Sequence, residues 1–482
     1  MTDQHFGNYI DGRFVEPASG ERLDVWSPAT GQVCGSIARS GEAEVDLAAR
    51  AAAAAQPAWA AMRPIHRGRV LMRMAEYIRS HADEFAEIEQ RETGKPLRTM
   101  PLEIGGAADY FEMYAGFCNI QHGERIDIGE GYHCYTRCEP FGVVGVITPW
   151  NGPIGQLARG LAPALVVGNA VVAKPSEFTS GTTLRLAQAA VEHCGLPAGV
   201  FNVVTGLGAE AGAAVVSHPL VRKVAFTGSV RAGRDIGRIA ADRIIPLTLE
   251  LGGKSPNIVF ADADFDAAVA GALRGFTANA GQVCSAGTRL LVQRPIYDRF
   301  VDALARSAPT IKVGPGADCT MGAIMTRAQF ERVHRFYDIA VQDGARLVVG
   351  GPDVREESWG EGWYVPVTIY ADVSNDMRIA QEEIFGPVLA VIPFDTEEEA
   401  VAIANDTEYG LASGIWTNDI SRAHRVAAQL QAGSVGINEY ASGDIELPFG
   451  GFKSSGYGKE KGAAALHHYT QIKTVRIKLL AA

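Results

Sequence analysis

The chain has 482 residues, 47% of them hydrophobic and 21% charged, and a formal net charge of -11. That length exceeds the size at which one hydrophobic core stops growing, so two or more domains are expected, and the composition excludes a disordered chain. The acidic balance gives no electrostatic basis for binding DNA or RNA and serves solubility instead.

The opening stretch MTDQHFGNYIDGRF lacks the basic start and apolar run of a signal peptide, and no apolar stretch reaches membrane-spanning length. A cytoplasmic protein without a membrane partner is expected. Seven cysteines without a CxxC pair suggest neither a disulfide framework nor a metal site, so the thiols are expected to be reduced. Residues 42–62 and 66–94 read as two long helices, the second ending at Gly94 with Pro96 just beyond.

From about 141 to 260 the short runs FGVVGVI, AVVAK, FNVVT, KVAFTG and NIVF alternate with helical stretches. This pattern predicts a doubly wound parallel sheet on which the earlier helices pack. A second series, TRLLVQ, ARLVVGG, PVLAVIPF, SGIWT and GSVGIN, predicts another α/β domain between about 265 and 440. YHCYTRCEP (132–140) and the terminal TQIKTVRIKL fit neither series; they alternate like edge strands, which pair either with another subunit or within the chain.

Several loops carry chemistry-bearing residues. TPWN (148–151) ends a strand with the side-chain amide of Asn151, a donor for an oxyanion or a turn residue. KPSE (174–177) follows a strand where such sheets end at a ligand crevice, and Lys174 with Glu177 suits either ribose hydroxyls or a solvated surface pair. In FTGS (226–229), Ser229 stands where a helix N-cap would, with the anion-binding amides of a first turn behind it. GLGAEAG (206–212) departs from the GxGxxG spacing, so a standard dinucleotide fingerprint is absent.

ELGGKSP (250–256) sets Glu250 after an apolar strand, as a general base of raised pKa or an ion-paired core residue. NAGQVCSAG (279–287) surrounds Cys284 with small uncharged neighbours, as a quiet core thiol or an accessible nucleophile. EEIFGPV (382–388) offers Glu383 for a hydroxyl and Phe385 as a flat wall, or a plain helix end. Together these groups call for one reaction: a thiolate adds to a carbonyl, an amide holds the oxyanion, a hydride leaves to a nicotinamide, and a carboxylate activates water on the thioester.

The motifs TPWN, KPSE, FTGS, ELGGKSP, GQVC, EEIFGPV and PFGGFKSSGYGKE, in that order, resemble those of the NAD(P)-dependent aldehyde dehydrogenase superfamily, of the non-acylating, hydrolytic type. The resemblance spans nearly the whole chain. It implies a Rossmann-like cofactor domain (1–120 and 141–252), an α/β catalytic domain (253–467) and a small β oligomerisation arm (121–140 and 468–482), in a homodimer or homotetramer. Cys284 would be the nucleophile, Glu250 the base, and Asn151 with the Cys284 amide the oxyanion hole. Trp150, Lys174, Ser176, Glu177, Gly228, Ser229, Glu383 and Phe385 would hold the cofactor.

Glu177 should repel a 2'-phosphate, so NAD is expected over NADP, and an intact Glu250 favours the free acid over transfer to coenzyme A. The expected substrate pocket comprises Gly152, Gln156, Arg159, Val283, Ser285, Gly443 and Phe449. Gly152, Gly155 and Gly443 leave it roomy, which points to a bulky or aromatic aldehyde. The competing substrate is a carboxylate-bearing aldehyde gripped by Arg159, and competing classes are a thiol esterase and a non-catalytic structural protein. The sequence leaves open whether Glu460 relays protons to Glu250.

Overall fold

A computed structural model describes residues 4–120, 122–440 and 444–479. Four runs of the first β-branched series form a sheet with Leu247–Glu250, its five central strands parallel in the spatial order Leu247–Glu250, Val221–Thr227, Val143–Ile147, Ala170–Lys174, Phe201–Val203. The fifth run, NIVF, lies instead in the second sheet as Pro256–Val259, because the chain crosses over at the glycines after Glu250. Val143–Ile147 and Ala170–Lys174 are buried along their whole length, which is why they read as continuous apolar runs. From Val143–Ile147 the chain steps outward twice, then returns to the opposite side of that strand. The switch point lies between Val143–Ile147 and Val221–Thr227, where sheets of this kind open a crevice at their C-terminal ends.

Antiparallel strands close both edges. Asn8–Ile10 and Arg13–Val15 extend one side, and Gly456–Tyr457, from the late part of the chain, pairs with Leu247–Glu250 on the other.

Helices cover the sheet, with one departure from expectation. The stretch 66–94 is two helices, Pro64–Ser80 and Ala82–Thr93. The break falls at His81, whose backbone leaves the helical region (φ -119°, ψ 27°). Its Nδ1 lies 3.0 Å from the Tyr77 carbonyl oxygen and its ring stacks on Tyr77. Asp83 and Glu84 open the new helix, where negative charge suits the N-terminal dipole, and Gly94 ends it in the left-handed conformation (φ 67°).

The second series forms a seven-stranded sheet in the order Arg346–Val349, Thr368–Ala371, Val388–Phe394, Arg289–Gln293, Pro256–Val259, Ala412–Trp416, Ser434–Ile437, parallel except for the first strand. The two edge segments left over from both series are each other's partner. Thr470–Lys478 pairs antiparallel with Tyr132–Pro140 along its full length, with Arg125–Ile126 on the far side. The outer edge of Thr470–Lys478 carries no further strand among the described residues and leaves Ile472 and Ile477 exposed. No helix among the described residues is long and apolar enough to cross a membrane.

One relation between the sheets positions everything that follows. The Leu247–Glu250 strand ends the first sheet, and a short glycine-bearing link leads directly into Pro256–Val259 at the centre of the second. The C-terminal strand ends of the first sheet thus meet the N-terminal strand ends of the second.

Candidate active site between the two sheets

A cavity of about 540 Å³ occupies that junction. The first sheet contributes Trp150 and Asn151 beyond Val143–Ile147, Gly228 and Ser229 beyond Val221–Thr227, and Glu250 at its own strand end. Across from them, Cys284 precedes the strand Arg289–Gln293, Glu383 and Phe385 precede Val388–Phe394, and Tyr409 precedes Ala412–Trp416. Cys284 itself is partly open rather than sealed in the core.

The two glycines of ELGGKSP permit this approach. A Cβ on Gly252 would stand 2.2 Å from Glu383 Oε2, and one on Gly253 would stand 2.5 Å from the Cys284 carbonyl oxygen. Only backbone fits between the base-bearing strand and the thiol-bearing loop. That loop is held from the other side as well: Asn151 Nδ2 donates to the Gln282 carbonyl at 2.9 Å, and Asn279 Nδ2 donates to the Asn151 carbonyl at 3.0 Å. Asn279 and Ala280 adopt left-handed backbone conformations (φ 49° and 53°), which cost energy for residues with a Cβ and persist where surrounding contacts enforce them.

The electrostatics follow from burial. Glu250 is 1% exposed, and neither of its oxygens has a hydrogen-bond partner among the described residues. Burial foremost, and the nearby Glu460 carboxylate second, hold its pKa well above the ordinary range. Burial likewise pushes the Cys284 thiol up to about 11, with Arg159 pulling it down and Glu250 and Glu383 pushing it further up. Glu383, raised to about 7 by burial, accepts a hydrogen bond from the Gly253 amide at 3.1 Å.

Arg159 differs from the expectation that it grips a substrate carboxylate. Its guanidinium is buried and paired with the buried Glu460, donates to Thr227 Oγ1 at 3.1 Å, and lies 5.5 Å from the centre of the Phe449 ring. A cation already neutralised by an internal carboxylate lacks the free fork that a substrate carboxylate needs. Phe449, expected in the substrate pocket, is 5% exposed and packs against both Arg159 and Lys461.

The other expected positions divide between the cavity and its surroundings. Gln156 lines the cavity, one turn beyond Gly152, while Ser285 is buried and Val283 is half-buried beside the thiol. Lys174, at the end of the Ala170–Lys174 strand, and Ser176, just past it, are buried outside the cavity wall, and Lys174 Nζ donates to Glu177 Oε2 at 3.1 Å. Ser229 is exposed and caps the helix Val230–Arg243, accepting from the Ala232 amide. Gly443 lies outside the described residues.

Sequence reasoning missed Gln329 and Arg332, both on the helix Arg327–Gln342. Gln329 Nε2 donates to the carbonyls of Ile384 (2.7 Å) and Phe385 (2.9 Å), and Arg332 Nη2 donates to that of Glu383 (2.7 Å). They hold Phe385 at a left-handed φ of 62°, with its ring edge-on to Trp150 at 5.3 Å between centroids. No local signal marks them, because polar residues on an amphipathic helix read as a solvated face.

The chain is similar to known proteins over nearly its whole length. A family profile described as "Aldehyde dehydrogenase family" matches residues 14–475. The betaine aldehyde dehydrogenase of Cereibacter sphaeroides is 45% identical over 98% of this chain and 96% of its own length. That of Mesorhizobium japonicum is 44% identical over 98% and 97%. Among solved structures, the P. syringae indole-3-acetaldehyde dehydrogenase in complex with NAD+ and IAA superposes with a TM-score of 0.96 at 40% identity, covering 98% of this chain and 96% of that one. The NAD+ complex of an aldehyde dehydrogenase from Bacillus cereus gives 0.96 at 40% identity, covering 99% and 97%.

The Arg159 and Glu460 pair generates a prediction. Breaking a buried pair by removing one partner costs about 3–5 kcal/mol, so Arg159→Leu should lower the melting temperature strongly. Arg159→Leu combined with Glu460→Leu should recover much of the loss; equal melting temperatures for Arg159→Leu and the wild type would refute the pairing.

Proposed function

Within the aldehyde dehydrogenase family, to which this chain belongs as an aldehyde-oxidising oxidoreductase, we propose that it carries out the NAD-dependent, hydrolytic oxidation of a bulky or aromatic aldehyde to its carboxylic acid. The observation that carries this reading is the meeting of Cys284, Asn151 and Glu250, from three separate segments, on one cavity whose wall also holds Ser229, Glu383 and Phe385. The same reading assigns residues 1–120 and 141–252 to cofactor binding and 253–467 to catalysis. Residues 121–140 and 468–482 then form an arm that joins two or four copies.

The residues present fit the cofactor. Lys174 and Glu177 offer a donor and an acceptor for ribose hydroxyls, the helix start behind Ser229 offers amides to a pyrophosphate, and Gly252 leaves room for Glu383 beside a second ribose. When bound, NAD supplies the hydride acceptor and a positively charged ring. The structures of relatives in complex with NAD+ support the same choice.

In this reading the Cys284 sulfur, as thiolate, bonds to the aldehyde carbon, and the carbonyl oxygen becomes an oxyanion that accepts hydrogen bonds from Asn151 Nδ2 and the Cys284 amide. One Asn151 N–H is engaged with the Gln282 carbonyl, and a second remains on the same nitrogen. Loss of the hydride leaves an acyl group on sulfur as a thioester. Glu250 then takes a proton from water, the resulting hydroxide displaces the sulfur, and the acid leaves as the thiol is restored.

The bulky-substrate reading draws support from the glycines after Asn151, which flank the cavity without being part of its wall. A Cβ added at Gly155 meets nothing within 4 Å, and at Gly152 only Gln156 Cγ, at 3.5 Å. The internal pairing of Arg159 removes the main argument for an acidic aldehyde.

Three outcomes test the reading. Cys284→Ala should form no NADH with any aldehyde, whereas Glu250→Gln should keep a first-turnover burst, accumulate an acyl adduct visible by mass spectrometry, and turn over about 10²–10⁴-fold more slowly. Cys284 acts as a thiolate before hydride loss and Glu250 as a carboxylate after it, and both are shifted upward. So kcat/KM, through the thiol, and the single-turnover rate of thioester hydrolysis, through the carboxyl, should each climb with pH from neutral into the alkaline range; a flat profile of either across that range contradicts that group's assignment. The wild type should prefer NAD to NADP, and Glu177→Ser should narrow that preference at least about tenfold, a change worth ~1.4 kcal/mol; an unchanged ratio removes Glu177 from the selection.

A further inference from the structure

The helix Ala82–Thr93 contributes no residue to the cavity wall, yet it carries two buried carboxyls one turn apart, Glu89 (0% exposed) and Glu92 (5% exposed). Residues at this spacing share a helix face. Each carboxyl reaches the start of a different helix: Glu89 Oε2 accepts from the Ile154 amide at 3.3 Å, and Glu92 Oε2 accepts from the Gly181 amide at 3.1 Å. Ile154 and Gly181 sit in the first turns of the helices Pro153–Val166 and Gly181–Glu192. First-turn amides have no partner within their own helix and need one from outside.

Neither helix caps itself in the ordinary way. Its preceding residue, Gly152 in one case and Ser180 in the other, makes no side-chain capping bond. The fit of Glu92 is close, since a Cβ on Gly181 would come within 2.6 Å of its Oε1. Glu89 is steadied by Lys95, whose Nζ lies 3.8 Å from its Oε1 and also pairs with Glu103.

The two capped helices are the ones that leave the TPWN and KPSE loops. Ile154 follows Asn151 within a single turn of chain, and Gly181 closes the segment that holds Lys174 and Glu177. We propose that Glu89 and Glu92 are positioning residues: Glu89 fixes the oxyanion donor Asn151, and Glu92 fixes the ribose-binding pair Lys174 and Glu177. This rests on the roles proposed above for those loops. It predicts that one remote helix controls a catalytic rate and a cofactor affinity separately, through two carboxyls.

The test uses the full-length enzyme and readouts that separate the loops. For the oxyanion loop the readout is the burst rate of p-nitrophenol release from p-nitrophenyl acetate, which needs Cys284 and Asn151 but neither NAD nor an aldehyde. For the KPSE loop it is the Kd for NAD, measured by fluorescence titration. Glu89→Leu should slow the burst at least about tenfold, in line with the cost of a misplaced catalytic group, and leave the Kd within twofold. Glu92→Leu should raise the Kd at least about tenfold and leave the burst within twofold. Glu89→Gln and Glu92→Gln keep an acceptor oxygen and should restore both constants.

Glu89→Asp and Glu92→Asp shorten the reach while keeping the carboxyl, and should show the same split at a few-fold level; they decide the matter where a leucine variant fails to fold. Constants that stay at wild-type values in the aspartate variants, or that move together in each, overturn the proposal. A wild type that binds NAD and oxidises aldehydes with no such split defeats only the positioning roles. A wild type that does neither defeats the functional reading, and the positioning roles with it.

Discussion

The close approach of two backbones at Gly253, with the Glu383 carboxylate seated against Gly252, is the constraint on which the site depends. A methyl group at either position would strike Glu383 or the carbonyl of Cys284. Because hydrogen alone fits there, the end of a strand in one sheet can lie against the thiol loop of the other. Glu250, at the strand's end, and Cys284, in the loop, therefore come to share a cavity although they belong to different sheets. The link between the sheets is covalent and short, so their relative placement is set by chain connectivity as much as by packing.

Beneath that contact lies a buried charge cluster that is costly in isolation and workable as a set. Arg159 offsets Glu460, Thr227 accepts from the guanidinium, and the Phe449 ring covers its face. An uncompensated charge at this depth would be severely destabilising. The consequence for Glu250 is specific: burial and the Glu460 carboxylate raise its pKa by more than Arg159, Lys459 and Lys461 lower it, so it stays well above the ordinary carboxylate range. The guanidinium serves the interior.

Much of this was legible in the sequence, and the reasons for the rest are physical. The parallel strands announced themselves because both their faces are buried, and the motif loops because they fall where such strands end. The short strand Thr368–Ala371 and the N-terminal strands of the first sheet were not read, since three or four residues carry too little periodicity. The helix break at His81 was missed because neither glycine nor proline marks it; a ring stacked on Tyr77 and a carbonyl contact do the work. Gln329 and Arg332 hold the Phe385 turn through carbonyls distant in sequence, and Arg159 gave no sign of its partner, because pairing across the fold leaves no local trace.

Glu89 and Glu92 show the same limit from the other side: within one helix they look like ordinary solvent-facing glutamates, and only their burial against two foreign helix starts distinguishes them. The thiol and the base raise a last question of order. Two anions side by side in a buried cavity repel, and each group's ionisation opposes the other's. The proposed reaction avoids the conflict by using them in turn. While the sulfur is a thiolate, Glu250 has reason to stay protonated; once the sulfur is acylated it carries no charge, and that repulsion is gone. The carboxyl then ionises more readily at the stage where water must lose a proton. In the proposed reaction, acylation of Cys284 thus removes one charge that opposes the ionisation of Glu250, while burial and Glu460 go on holding its pKa up.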